Sequence, residues 1–281
     1  MLFEIHEFNK GFDWKPTEGP FRRVTAEQAR QFNDDGFFVL ENALSEAEVA
    51  RLTAAIDPIE AHEEKILIEK HGGKKLIARA NEITFTVQLA LRVPAVRELV
   101  TGPVFRDVCR DLIGPDVRLY WDMSVYKKPG TTAPFPWHQD NGYTFVDPQQ
   151  YLTCWVALGP ATVDNGCLWA LPGAHKRGTY QHRATSVGLS CLRGDPDEKV
   201  PIELAPGSIA VMSSLTPHWT GPNVSNGVRK GLVCEFIPDG AVSVRKTETG
   251  ALERVPLRGA QNMWVLQNGE IPAPRVAAAG A

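Results

Sequence analysis

Arg118-Leu-Tyr-Trp-Asp-Met-Ser-Val-Tyr-Lys127 is an apolar, aromatic and β-branched run that the turn Lys128-Pro-Gly130 stops. The same pattern recurs downstream. Tyr151 to Leu158, Gly166 to Leu171, Ile202 to Leu204, Ser208 to Ser213 and Gly231 to Ile237 are short apolar runs. Asp164-Asn-Gly166, Pro172-Gly173, Pro206-Gly207 and Asn226-Gly227 punctuate them. Many short strands with regular turns predict a β-sandwich or barrel.

Upstream of Gly114 the character is helical. Thr25-Ala-Glu-Gln28 and Ser45-Glu-Ala-Glu48 are capping-box patterns. Ala29 and Phe32 share one face of the first helix, and Gly36 suits its exit. Val49, Leu52 and Ile56 follow at helical spacing in the second, which Pro58 is expected to close or kink. Phe37 to Leu40 reads as a short buried strand. Glu60 to Lys75 is charge-rich and ends His71-Gly-Gly-Lys-Lys75, so it reads as an exposed helix and loop, a candidate flap. Pro94 to Leu99 and Val104 to Ile113 read as two more helices. Helices first and strands after predict an α+β fold, with a helical layer buttressing the β-sandwich. Residues 1–21 have no period and read as an N-terminal arm. Residues 22–245 read as a single domain and 246–281 as a C-terminal extension, with Pro272 to Ala281 expected to be disordered.

The chain has 281 residues, 43% of them hydrophobic and 22% charged, so it can bury a sizeable core. Thirty basic against 33 acidic side chains leave a net charge of −3, which argues against a nucleic-acid partner held by bulk charge. No apolar run approaches the roughly 18 residues that would span a membrane, and the first ten residues do not read as a signal peptide. Cys109, Cys154, Cys167, Cys191 and Cys234 are an odd set without a Cys-x-x-Cys pair. They read as reduced thiols of a cytoplasmic protein, Cys154 and Cys167 as small core residues.

The chemistry concentrates in Pro136-Trp-His-Gln-Asp-Asn-Gly142. His138 and Asp140 are two apart, and on a strand such residues point to one face, so an imidazole and a carboxylate can converge. A second segment, Pro217-His-Trp-Thr-Gly-Pro-Asn-Val-Ser-Asn-Gly-Val-Arg229, offers His218 as a third ligand. Two His and one carboxylate leave three coordination positions open, an arrangement suited to non-haem Fe(II) and O2. Pro222 and Asn226-Gly227 turn the chain so that Arg229 returns near His218, where a fixed guanidinium can grip a carboxylate.

With these motifs in this order, the chain resembles the phytanoyl-CoA dioxygenase family. Its members are Fe(II)- and 2-oxoglutarate-dependent oxygenases on a double-stranded β-helix, or jelly roll. Asn165-Gly-Cys-Leu168, Leu171-Pro-Gly-Ala-His175 and Gly36-Phe-Phe-Val-Leu40 add to the resemblance, which covers roughly residues 22–238. It implies a jelly-roll core in which His138, Asp140 and His218 bind iron and Arg229 pairs with the distal carboxylate of 2-oxoglutarate. It further implies that Gln139, Trp155 and Thr220 line the co-substrate site and that Ser124 contacts the cofactor. A polar residue from the preceding region, Arg79 or Asn81, would complete the site. The implied reaction hydroxylates an unactivated C–H bond of a small molecule, using O2 and releasing succinate and CO2.

Phe135, Trp137, Tyr143, Phe145 and the Glu60–Lys75 flap are expected to wall the substrate site and to suit an apolar or polycyclic molecule. His175 reads as a structural turn residue, His62, His71 and His182 as surface residues, and His6 as part of the arm. Trp169 and Trp219 are expected inside the sandwich, and Lys74-Lys75 reads as a solvated pair. Three other readings stay open. The same iron chemistry can give desaturation, epimerisation or ring formation. The fold can persist in a non-catalytic member. A cupin-like metalloenzyme would do without 2-oxoglutarate, and would have no need of Arg229.

Overall fold

The computed structural model describes residues 2–271, so the expectation for Pro272 to Ala281 lies outside the described residues. Both capping boxes form. Thr25 caps α1 (Ala26–Asp35), which ends at Gly36 in the left-handed region. Ser45 caps α2 (Glu46–His71). Pro58 does not close this helix, which runs on to His71. The lost bond falls where the helix is anchored to the sheet, because Asp57 accepts from Tyr126 Oη at 2.7 Å and from Lys230 Nζ at 2.7 Å. One turn later, buried Glu60 accepts from the Thr84 and Thr86 hydroxyls. Short helices α3 (Leu89–Arg92), α4 (Pro94–Val100) and α5 (Pro103–Leu112) complete the helical layer.

The strands form two facing antiparallel sheets closed into a jelly roll. The major sheet runs Phe37–Leu40, Ile209–Ser213, Leu152–Ala157, Arg229–Pro238, Val117–Lys127, Ile83–Val87, Ala78–Arg79 and Lys74–Lys75. The minor sheet runs Val200–Ile202, Leu168–Ala170, His218–Thr220 and Phe135–His138. The strand Ile83–Val87, which the sequence did not announce, pairs with Val117–Lys127.

Alternation divides the major sheet between two cores. Tyr126, Cys154, Val156, Leu232, Cys234 and Phe236 face the helices. Val125, Trp155, Ala210, Met212 and Val233 face the minor sheet. All five cysteines are buried and free. Trp169 and Trp219 are not inside the sandwich. They lie on the outer face of the minor sheet with Trp137, covered by Tyr180 and Leu192.

The arm and the segment from 246 to 266 are both built into the body. In the arm, Phe3 stacks on Tyr180 at 4.2 Å, and Trp14 sets its edge against His175 at 4.3 Å. The segment read as an extension also returns. Leu252–Pro256 pairs with Val242–Lys246, and Trp264–Leu266 adds a strand beside Val117–Lys127.

Candidate active site

The metal ligands come from the minor sheet and the turn that leaves it. His218 and His138 are cross-strand partners, with rings 4.1 Å apart. Asp140 is not on the strand, as the two-residue spacing suggested. It opens a 3-10 turn, Asp140–Gly142, just after the strand Phe135–His138 ends. The turn still delivers its carboxylate, with Oδ1 lying 3.8 Å from His138 Nε2 and 3.8 Å from His218 Nε2. One ligand atom from each residue lies within 4.8 Å of the others.

Hydrogen bonds fix all three groups for metal binding. His138 Nδ1 faces the Pro136 carbonyl at 2.8 Å and His218 Nδ1 faces the Thr216 carbonyl at 3.0 Å. Only a ring carrying its proton on Nδ1 can donate there, which leaves the Nε2 lone pair free. Burial, with the neighbouring His218 ring, holds His138 well below the usual imidazole range, so it stays neutral. Thr153 Oγ1 donates to Asp140 Oδ2 at 2.5 Å and leaves Oδ1 for a metal.

The opposite wall belongs to the major sheet. Arg229 opens the strand Arg229–Pro238 and is wholly buried. Its Nη1 donates to the Gly166 carbonyl at 3.3 Å, whereas Nε and Nη2 are buried without a partner. Its guanidinium carbon lies 5.2 Å from the Trp155 ring centroid. A buried guanidinium with two unused donors is a socket for a carboxylate.

Beside it stands a second buried cation that sequence reading missed. Lys127 is the register partner of Arg229 and is also wholly buried. Its Nζ crosses to the minor sheet and donates to Thr220 Oγ1 at 3.0 Å and to the Gly221 carbonyl at 2.5 Å. Burial and the Arg229 guanidinium push its pKa down to about 7. The Asn223 amide holds the turn by donating to the carbonyls of Lys127 and Gly227, both at 2.9 Å. Gly166 is required there. Its φ is +81°, and a Cβ would fall 2.5 Å from the Gly221 carbonyl and 3.1 Å from Lys127 Cδ.

The triad and Arg229 line one cavity of about 700 Å³, and Lys127 bonds Thr220 in its wall. Trp155 and Thr220 face it, and Phe135, Tyr143 and α2 residues between Glu60 and His71 also contribute. Four expectations need correction. Ser124 faces the helices, because alternation gives the cavity Met123 and Val125 instead. Gln139 spends its amide on the Gly178 and Leu215 carbonyls and the Tyr180 N–H, away from the cavity. Trp137 points outward to Asp195, and Phe145 packs against His6 and Phe8 of the arm. Arg79 and Asn81 do not reach the site; Arg79 instead bonds the Ser186 carbonyl at 2.7 Å, and the Asn81 N–H bonds Glu64.

Two histidines also differ from expectation or gain a definite place. His182 is buried, not on the surface. Its Nε2 accepts from the Gln139 N–H at 2.9 Å, and burial pushes its pKa down to about 4. His175 is buried in the 3-10 turn Ala174–Arg177. Thr153, Lys127 and Glu235 escaped sequence reading because none belongs to a distinctive motif. Glu235 lines the cavity, and its carboxyl is pushed well up by burial and then by Asp140.

A family model described as phytanoyl-CoA dioxygenase matches residues 32–231. A probable alpha-ketoglutarate-dependent hypophosphite dioxygenase of Stutzerimonas stutzeri is 29% identical over 229 residues, covering 75% of this chain and 78% of its own. The non-heme alpha-ketoglutarate-dependent carbocyclase SnoK of nogalamycin biosynthesis shares the fold. It superposes with a TM-score of 0.66 at 24% identity, over 88% of this chain and 99% of its own. EvdO2 of Micromonospora carbonacea, solved with 2-oxoglutarate, superposes with a TM-score of 0.63 at 27% identity, over 81% of this chain and 96% of its own.

Proposed function

The chain belongs to the phytanoyl-CoA dioxygenase family, and from that premise we propose that it hydroxylates an unactivated C–H bond of a small organic molecule. The reaction consumes 2-oxoglutarate and O2 and releases succinate and CO2. The carrying observation is Arg229, whose two unpartnered buried nitrogens share a cavity with the triad. A metalloenzyme without a dicarboxylate co-substrate has no use for that guanidinium.

Bound Fe(II) with 2-oxoglutarate supplies O2 activation and the oxidising power. The chain does the rest. His138, Asp140 and His218 would hold the metal, each through one ligand atom. Thr153 keeps Asp140 in place. Arg229 takes the carboxylate remote from the metal, and Trp155 and Thr220 shape the socket around it. Met123, Phe85, Val125 and Phe135 exclude water and seat the substrate.

A volume of about 700 Å³ lies within the roughly 300–1,000 Å³ of small-molecule sites. Mostly apolar walls favour an organic body over an anion as small as hypophosphite. Five buried free thiols support a cytoplasmic location. The test is a substrate screen that follows succinate release, with product masses read in parallel. A gain of one oxygen atom is the expected result. Loss of two hydrogens, or unchanged mass, would replace hydroxylation by desaturation, epimerisation or isomerising ring closure. Fe(II) binding without any 2-oxoglutarate binding would overturn the reading.

A further inference from the structure

The strand Arg229–Pro238 sends alternate side chains into the cavity: Arg229 at one end, then Val233, and Glu235 at the other. At about 3.3 Å per residue, Arg229 and Glu235 lie roughly 20 Å apart along the strand. The Arg229 end is the dicarboxylate socket. The Glu235 end has no role in that scheme, yet it is built with care.

Glu235 is only 6% exposed, and among the described residues its carboxyl has no hydrogen-bond or ion-pair partner. Two donors that line the same cavity are engaged elsewhere. Thr153, its cross-strand partner, donates to Asp140. Arg92, which lines the same cavity, bonds Glu63 and the Val87 carbonyl. A buried carboxyl without a donor is costly unless something brings one.

The neighbouring strand adds aromatic faces. In Val117–Lys127, Trp121 pairs with Glu235 and Leu119 with Phe236, so the ladder skips Tyr120. The bulge breaks alternation and lets consecutive Tyr120 and Trp121 both line the cavity. A carboxyl flanked by aromatic rings suits an organic cation, since ring faces attract positive charge.

We propose that this end of the cavity is a subsite for a protonated nitrogen on the substrate, with Glu235 as counter-charge and Tyr120 and Trp121 as flanking faces. The proposal rests on the oxygenase reading above, and it narrows the substrate class to an apolar body carrying an amine. Glu235 is the cross-strand partner of Thr153, which bonds Asp140, so an amine held there would lay the body of the molecule along the apolar walls beside the metal ligands.

The test uses the whole chain loaded anaerobically with Fe(II) and 2-oxoglutarate. Calorimetry measures binding of phenylalkylamines, from benzylamine to 4-phenylbutylamine, against the corresponding alcohols. At least one amine should bind at least tenfold tighter than its alcohol. Glu235→Gln should weaken that amine by about 10- to 100-fold and leave the alcohol unchanged. Trp121→Leu should weaken it by about 2- to 30-fold. Equal binding of amine and alcohol by the wild-type protein overturns the proposal, and so does an undiminished amine affinity in Glu235→Gln. A wild-type protein that shows no Fe(II)–2-oxoglutarate charge-transfer band before any amine is added fails earlier, at the oxygenase reading.

Discussion

Lys127 and Arg229 face each other in register across two central strands, and both cations are wholly buried. Burial lowers Arg229 to about 10, and burial with the guanidinium beside it lowers Lys127 to about 7. Two like charges in one dry place are stable only if an anion joins them. The pair therefore serves a dicarboxylate ligand better than it serves the empty fold.

The Lys127 titration gives a prediction with a definite sign. Its pKa is about 7 in the folded chain and about 10.4 when unfolded. Between those values the unfolded chain holds the extra proton, so stability without co-substrate should rise with pH across that window. Binding of 2-oxoglutarate favours the ammonium form, so its affinity should fall as pH rises above about 7. Melting curves and 2-oxoglutarate titrations across pH check both trends. Lys127→Met should flatten each, and an unchanged pH profile in that variant would remove Lys127 from the co-substrate end.

Arg229→Ala should raise the 2-oxoglutarate KM by about two to three powers of ten, since breaking a buried pair costs roughly 3–5 kcal/mol. Arg229→Lys should recover part of this, keeping the charge and losing the fork. Fe(II) affinity without co-substrate should barely move in either variant. Titrating the charge-transfer band separates the two effects, and normal 2-oxoglutarate binding by Arg229→Ala would withdraw the assignment.

For the triad, His138→Ala and His218→Ala should each abolish that band. Asp140→Ala should retain some iron on two imidazoles and lose hydroxylation. Thr153→Val tests the support rather than the ligand. Loss of its hydroxyl from Asp140 should weaken metal binding by about 10- to 100-fold, which competition with a chelator measures. Wild-type affinity in Thr153→Val would show that Asp140 needs no such support.

Gly231 lies under Trp155, and a Cβ there would come within 2.1 Å of the indole ring. Gly231→Ala should therefore displace Trp155 toward the Arg229 socket. The expected cost is about 1–3 kcal/mol of stability, with weaker 2-oxoglutarate binding at unchanged metal affinity. A melt together with the band titration gives both numbers.

The site was legible where function sits in a compact motif and obscure where it depends on strand parity. His138, Asp140, His218 and Arg229 stand within two short segments, and it is the resemblance that joins the two into one site. Ser124 against Met123 turns on a shift of one residue, which moves every side chain to the other face of the sheet. Lys127 sits in a Lys-Lys-Pro-Gly sequence that reads as a solvated turn, and only tertiary structure buries it. Trp137 reads as a substrate wall and Trp169 and Trp219 as residues inside the sandwich, but all three alternate with inward-facing neighbours and lie on the covered outer face of the minor sheet. Both capping boxes were legible because they are local. The passage of α2 through Pro58 was not, because the anchor at Asp57 lies on strands distant in sequence.

On the proposed reading, the two ends of the co-substrate would be held by different layers. The metal ligands belong to the minor sheet and its outgoing turn, whereas Arg229 and Trp155 belong to the major sheet, and across the described gap the Lys127 ammonium already reaches Thr220. A ligand gripped at both ends acts as a rivet through the sandwich. Its binding energy is then stored against separation of the layers, not only against loss of the ligand. Metal alone should slow amide exchange mainly around His138 and His218. Metal with 2-oxoglutarate should extend that protection across to Arg229–Pro238, so that the wall is set before any substrate arrives.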